Sequence, residues 1–204
     1  MATQQALLLI DLQNDFCRGG ALAVKEGDEV MAVANHYANE FSQRGQAVVA
    51  TLDWHPVNHG SFATNAGEQP WTQGELDGLP QVWWPDHCVQ HTNGAELHPA
   101  LQAELITDRV FKGEEPMVDS YSGFYDNGHR RKTRLDALLK ARGVTALTVM
   151  GLATDYCVKY TVLDALAEGY TVTVISAGCR GVDLNAGDSV QALEEMKAHG
   201  AVIL

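Results

Sequence analysis

The sequence predicts an α/β protein of three layers, α/β/α, with a mostly parallel central sheet. Two observations carry this. Segments of strand character alternate with segments of helical spacing along the chain. The strand segments Ala6 to Asp11 (ALLLID) and Ala47 to Asp53 (AVVATLD) are continuous apolar runs, each ending in a carboxylate. A strand with one wet face alternates; one buried on both faces, as in a parallel sheet, does not. With 204 residues, 46% hydrophobic content and no Pro/Gly/Ser linker, residues 1–204 are expected to form one domain.

Taken in order, ALLLID is the first strand and DLQNDFCRGGAL a loop. Glu29 to Arg44 has helical spacing, with Asp28 as the expected N-cap and Gly45 as the stop. AVVATLD is the second strand. From Trp54 to about Pro99 periodicity fades and Gly, Pro, His and Trp accumulate, and so long an irregular stretch inside a compact domain is usually functional. Asp108 to Gly113 gives a third strand that carries Lys112 near its end. The segment KTRLDALLKARG then reads as a helix feeding a fourth strand, Thr145 to Met150. Beyond Gly151, residues Val158, Thr161, Val162, Ala165 and Leu166 recur at helical spacing until Gly169. Thr171 to Ser176 is a fifth strand, DSVQALEEMKAHG a helix capped by Asp188, and AVIL a last strand.

Composition narrows the function. A net charge of −12, from 14 basic and 26 acidic residues, argues against nucleic acid or an anionic membrane surface as partner and favours a small neutral substrate. The N-terminal stretch MATQQALLLIDLQ has no basic leader, and its apolar run is too short for a signal or a membrane span, so the expectation is a cytoplasmic protein. There Cys17, Cys88, Cys157 and Cys179 should be free thiols. No GxGxxG or P-loop follows any strand, which removes support for nucleotide binding.

Asp11, Asp53, Lys112 and Cys157 all fall at carboxyl ends of expected strands, the edge where open α/β folds place their sites. A charge ending one strand is ordinarily just solvated; four chemical groups on one edge need another explanation. Cys157 lies in the first turn after Gly151. With Thr154 as N-cap it would sit among unpaired N–H groups, which favour thiolate. An acid, a lysine and a cysteine together form a nucleophilic set for acyl transfer, although spacing alone leaves a structural Asp11–Lys112 ion pair open. Asp53, His55 and His87 are a carboxylate and two imidazoles of the kind that bind zinc, iron or manganese. His59, Ser61 and Glu68 in the same stretch could add a contact. Phe16, Trp71, Trp83, Trp84 and Tyr121 are available to wall a flat pocket, Phe16 and Trp84 standing nearest the chemical groups. His36, His129 and His199 read as surface residues, and His91 and His98 as loop structure.

The blocks DLQNDF, TLDWHPVNHGSF, WPDHCVQHTNGAELHP, VFKG, YSGF and GLATDYCVKYTVLDA, in this order from Asp11 to about Gly178, together resemble the bacterial nicotinamidases (pyrazinamidases) of the isochorismatase-like cysteine hydrolase superfamily. The resemblance implies a catalytic triad of Asp11, Lys112 and Cys157. It implies a divalent metal ion (Zn, Fe or Mn) at Asp53, His55 and His87, with Ser61 or His59 open as a fourth ligand. It further implies an oxyanion hole from the N–H groups of Ala153 and Cys157, a cis Leu152–Ala153 peptide, and a ring slot built by Phe16 and Trp84. The expected reaction is hydrolysis of nicotinamide to nicotinate and ammonia in NAD salvage, with pyrazinamide also accepted. The alternatives are another amide hydrolase of the superfamily and a non-catalytic metal-binding relic of the fold. Oligomeric state stays open, a homo-oligomer included.

Overall fold

The structure is a computed structural model, and it describes residues 4–204. Six strands form one sheet: β1 (Gln4–Ile10), β2 (Ala47–Asp53), β5 (Asp108–Lys112), β6 (Val144–Leu152), β7 (Thr171–Arg180) and β8 (Val202–Ile203). Their order is β5-β2-β1-β6-β7-β8, and every neighbouring pair is parallel. The continuous apolar runs have the predicted cause. Ala6 to Ile10 are fully buried and β2 is buried along its whole length, each strand lying between two others and covered by helices. Truncating one such side chain, Leu8→Ala for instance, should cost about 2–5 kcal/mol.

The helices are α1 (Val30–Gln43), the one-turn α2 (Ala63–Ala66), α3 (Leu135–Ala141), α4 (Lys159–Ala167) and α5 (Asp188–Ala198). The crossover from β1 to β2 runs in one direction along the sheet, and those from β5 to β6, β7 and β8 run in the other. Since such crossovers are right-handed, α1 covers one face and α3, α4 and α5 the opposite one. The direction reverses between β1 and β6, and at that switch point the strands' carboxyl ends leave a crevice.

Several expected boundaries shift for identifiable reasons. The Asp28 carboxylate does not cap α1; it accepts the Arg18 N–H at 2.7 Å, and a 3-10 turn at Gly27–Glu29 leads into the helix. Asp188 is likewise not a cap but the first residue of α5, and the Asp183 carboxylate takes the Ser189 N–H and hydroxyl instead. The expected helix from Lys132 begins at Leu135, whose N–H bonds the Thr133 hydroxyl.

The stretch from Trp54 to Pro99 is more ordered than its composition suggests. It contains α2 and a hairpin, β3 (Gln73–Leu76) with β4 (Leu79–Val82). Asp77 and Gly78 form the hairpin turn, both at positive φ (48° and 81°), the conformation an Asp-Gly pair favours. Isolated bridges of His55 to Val89 and Phe62 to Trp84 pin the rest. At the sheet's borders, β8 is only two residues long, and the Arg134 guanidinium binds the Arg109 carbonyl of β5. No helix is long and apolar enough to cross a membrane among the described residues.

Candidate active site

Three strand ends converge at the switch point. Asp11 leaves β1 with φ 49°, a left-handed conformation that Asp tolerates better than most residues. Lys112 ends β5, and Cys157 lies in the turn beyond β6. The Lys112 Nζ is wholly buried and touches Asp11 Oδ2 at 2.9 Å, Asp53 Oδ1 at 2.5 Å, the Ser120 carbonyl at 2.8 Å and Cys157 Sγ at 3.4 Å. The Thr51 hydroxyl donates to Asp11 Oδ1 at 2.7 Å, whereas Oδ2 has no well-aligned hydrogen bond. Asp11, Asp53 and Cys157 each place a ligating atom within 4.8 Å of the others.

Burial governs protonation in this cluster. It works against the Lys112 charge, yet Asp11 and Asp53 outweigh it and hold the ammonium well above the usual lysine range. Burial raises the Asp11 carboxyl; Lys112 pulls it back and the charge of Asp53 adds to the rise. The Cys157 thiol is pushed well up, by burial and then by Asp11 and Asp53, with Lys112 opposing. Burial thus opposes the thiolate that a helix start alone would favour. Thr154 is not an N-cap either. The cap position is Ala153, without a side-chain bond, and Thr154–Val158 is a single π-helical turn before α4. The Leu152–Ala153 peptide is cis, as expected. The Ala153 N–H bonds no protein group among the described residues.

On the far side of Asp53 lie two imidazoles. His55 and His87 each present Nε2 at 3.6 Å from Asp53 Oδ2. Each ring is oriented by its other nitrogen, His55 Nδ1 to the Gly113 carbonyl and His87 Nδ1 to the Pro85 carbonyl, both 2.8 Å. Gly113 must be glycine for this, because a Cβ there would lie 2.5 Å from the His55 ring. The distances to Asp53 are too long for hydrogen bonds, and His55 Nε2 is buried without a partner. Converging donors with one orphaned nitrogen fit a small divalent cation, whose ligands sit about 2.0–2.2 Å from it. Of the open fourth positions, His59 has Nδ1 on the Ser61 hydroxyl at 2.8 Å and Nε2 facing the Val118 carbonyl at 3.3 Å, so the pair satisfies itself.

Between the two groups lies a narrow slot, about 20 Å³ of cavity volume, lined by Cys157 and Ala153 together with Phe16, Trp84, Tyr121 and Tyr156. Trp84 packs edge-on against Tyr156 and donates its indole N–H to the Tyr121 hydroxyl at 3.2 Å. Trp71 lies outside this wall, edge-on to Trp84, and Trp83 packs in a separate cluster with Leu76. Glu68 is exposed and joins no group of metal donors. All four cysteines are unpaired and buried.

Sequence reasoning missed three buried supports. Gln13 donates to the carbonyls of Asp53 and Ala95 and accepts the Asp53 N–H, tying β1, β2 and the long loop together. Thr51 orients Asp11. Asp119, held by Gln81 Nε2 at 3.0 Å and its neighbour's N–H, lies within 4.8 Å of His55 and His59 donor atoms and lines the slot. Gln13 and Asp119 stood inside or beside the DLQNDF and YSGF blocks. Gln13 is two positions from Asp11 in its block and Thr51 two from Asp53 in TLDWHPVNHGSF, a signal that could have found both; Asp119, outside its block, carries none.

The Isochorismatase domain profile matches residues 5–204. The chain is 59% identical to the nicotinamidase of Escherichia coli (strain K12) over 199 residues, covering 98% of this chain and 93% of that protein. Among solved structures, the Acinetobacter baumanii nicotinamidase/pyrazinamidase superposes with a TM-score of 0.93 at 41% identity, covering 100% of this chain and 97% of that one. The Pyrococcus horikoshii pyrazinamidase in complex with zinc gives 0.81 at 38% identity, covering 98% of both. With the profile matched along nearly its whole length, the chain belongs to the isochorismatase family and, within it, to the nicotinamidase/pyrazinamidase group.

Proposed function

We propose that this chain hydrolyses nicotinamide to nicotinate and ammonia through a thioester on Cys157, accepts pyrazinamide as well, and returns the pyridine ring to NAD salvage. One observation carries the reading: a single buried ammonium touches a carboxylate base, a second carboxylate and a cysteine sulfur at the foot of an aromatic slot. Family membership supports the substrate, and an aromatic lining that includes Phe16 and Trp84 beside Cys157 suits a flat ring bearing a carboxamide.

The residues act in sequence. Asp11, its carboxyl raised by burial, takes the thiol proton from Cys157. Charge is only relocated within the cluster, and the Lys112 ammonium stays in contact with both partners, so a proton transfer in a dry site carries little electrostatic penalty. The thiolate attacks the carboxamide carbon, and the N–H groups of Ala153 and Cys157 receive the developing oxyanion. Asp11 hands the proton to departing ammonia, then deprotonates the water that cleaves the thioester. Asp53, His55 and His87 would hold a divalent ion, with zinc, iron and manganese all compatible with that donor set. When bound, the ion supplies a Lewis-acidic anchor for the ring nitrogen. Asp53 meanwhile holds Lys112 by its own contact with the ammonium.

The test is ammonia release from a panel of nicotinamide, pyrazinamide, benzamide and N-carbamoyl amines. Turnover of the first two above the others is expected. Preference for the carbamoyl amines would overturn the substrate assignment.

A further inference from the structure

Neither Asp155 nor Val182 has a part in the chemistry above, yet together they shape the slot. Val182 belongs to a strap, residues 181–187, that runs from the end of β7 to the start of α5 and lines the slot beside Ala153, Tyr156 and Cys157. Asp155 stands two residues before the nucleophile and is buried, 6% exposed. Its two oxygens accept consecutive strap amides: Val182 N–H to Oδ1 at 2.9 Å and Asp183 N–H to Oδ2 at 2.8 Å. Such charge-assisted bonds are about twice as strong as neutral ones. Asparagine could match only one of them, because its amide nitrogen would face a second N–H.

The strap is clamped from the other side as well. A Cβ on Gly181 would fall 1.6 Å from Ser189 Oγ and 3.2 Å from Asp155 Oδ1, so at this point the chain passes closely between α5 and the nucleophile turn. Asp183 then turns back to bond the Ser189 N–H at 2.8 Å and hydroxyl at 2.9 Å. A buried carboxylate is costly to keep, and here each of its oxygens fixes one strap amide at the wall of the slot.

We propose that Asp155 is a positioning residue that holds Val182 against the slot, and that Val182 sets how large a carboxamide ring the slot admits. The inference rests on the carboxamide reading above and adds the residue that limits ring size. Hydrophobic pockets discriminate one methylene by roughly 10–200-fold, and the two Val182 methyls present such a limit to substituted rings.

The experiment measures kcat and KM for nicotinamide and a set of ring-methylated nicotinamides, with hydrogen exchange at the Val182 and Asp183 amides. Val182→Ala should reduce the preference for nicotinamide over at least one methylated ring by about tenfold. Asp155→Asn should reduce the same preference, chiefly through KM, and speed exchange at both amides. The double variant should add little. Gly181→Ala displaces the strap from the α5 side with Asp155 intact, and should lower the same preference even if Asp155→Asn folds poorly. Unchanged selectivity in Val182→Ala would overturn the wall. If Asp155→Asn instead slowed kcat equally for all amides with unchanged exchange, Asp155 would brace the nucleophile turn and the proposal would fall. Were nicotinamide not turned over by the unaltered chain, the carboxamide reading would fail, while the exchange readout, which needs no substrate, would still decide whether Asp155 holds the strap.

Discussion

The two sides of Asp53 are built on different principles. On one side Asp11, Lys112 and Cys157 lie at or just beyond three strand ends of the parallel sheet, and Lys112 touches both of the others directly. On the other, His55 and His87 come from a strand exit and a long loop. Their rings are placed by backbone carbonyls and their free nitrogens stop 3.6 Å short of the shared carboxylate. The first side is joined by direct contacts; on the second, His55 Nε2 has no protein partner. A sheet edge can therefore supply one set of chemical groups while a loop supplies a second, with one aspartate joining them.

The difference can be tested from its strongest consequence to its weakest. Cys157→Ala should lose at least about a thousandfold in nicotinamide turnover, measured as ammonia release, with an unchanged far-UV spectrum. Wild-type-like turnover would end the covalent mechanism. Asp11→Asn and Lys112→Ala should each nearly abolish activity, and the double variant should be little worse than either, because base and ammonium act as a unit. Lys112→Ala should also destabilise the fold by about 3–5 kcal/mol, since it strands two buried carboxylates. Losses that simply multiplied would mean the first side is not one device.

On the second side the expected effect is selectivity rather than collapse. Nicotinamide and benzamide differ by the ring nitrogen, and the preference for nicotinamide should shrink greatly after chelation or in His55→Ala. If both amides slowed by similar factors, the ion would only brace the loop. The smallest effect concerns His59, whose imidazole is pushed down to about 4 by burial and then by the neighbouring His55. A depressed folded pKa means that the native state refuses a proton the unfolded chain accepts. His59 therefore contributes stability above about pH 6.5 that is lost as pH falls toward 4. Urea unfolding at about pH 7 and about pH 4.5 should show a loss of at most a few kcal/mol that is smaller in His59→Gln. An identical loss in the variant would assign the pH dependence elsewhere.

The sheet was legible because burial on both faces leaves a direct imprint, continuous apolar runs, and because Asp11, Asp53 and Lys112 end those runs. The long loop was legible only as a functional region. Its Asp77–Gly78 hairpin signal is present in the sequence but is flanked by Glu75 and Pro80, which obscure strand character. The burial of Cys157 was not legible, because a position near a helix start argues for thiolate while burial works the other way, and the slot around the sulfur is lined by residues distant in sequence such as Phe16 and Trp84. Asp28 and Asp188 were misread as caps for a related reason. A short acidic side chain before a helix has several N–H groups within reach, and the loop path selects among them.

A parallel sheet must end somewhere, and its free edges are where chains add to one another as aggregates. Here one border is the two-residue β8 and the other is β5, with Asp108 paired to Arg142 and its Arg109 carbonyl occupied by Arg134. Neither offers a long bare ladder to a second molecule. The tightly packed interior strands on which the catalytic groups depend can thus be as apolar as they are without making the chain adhesive, and charge-reversing Arg134 or Arg142 should first appear as aggregation at high concentration.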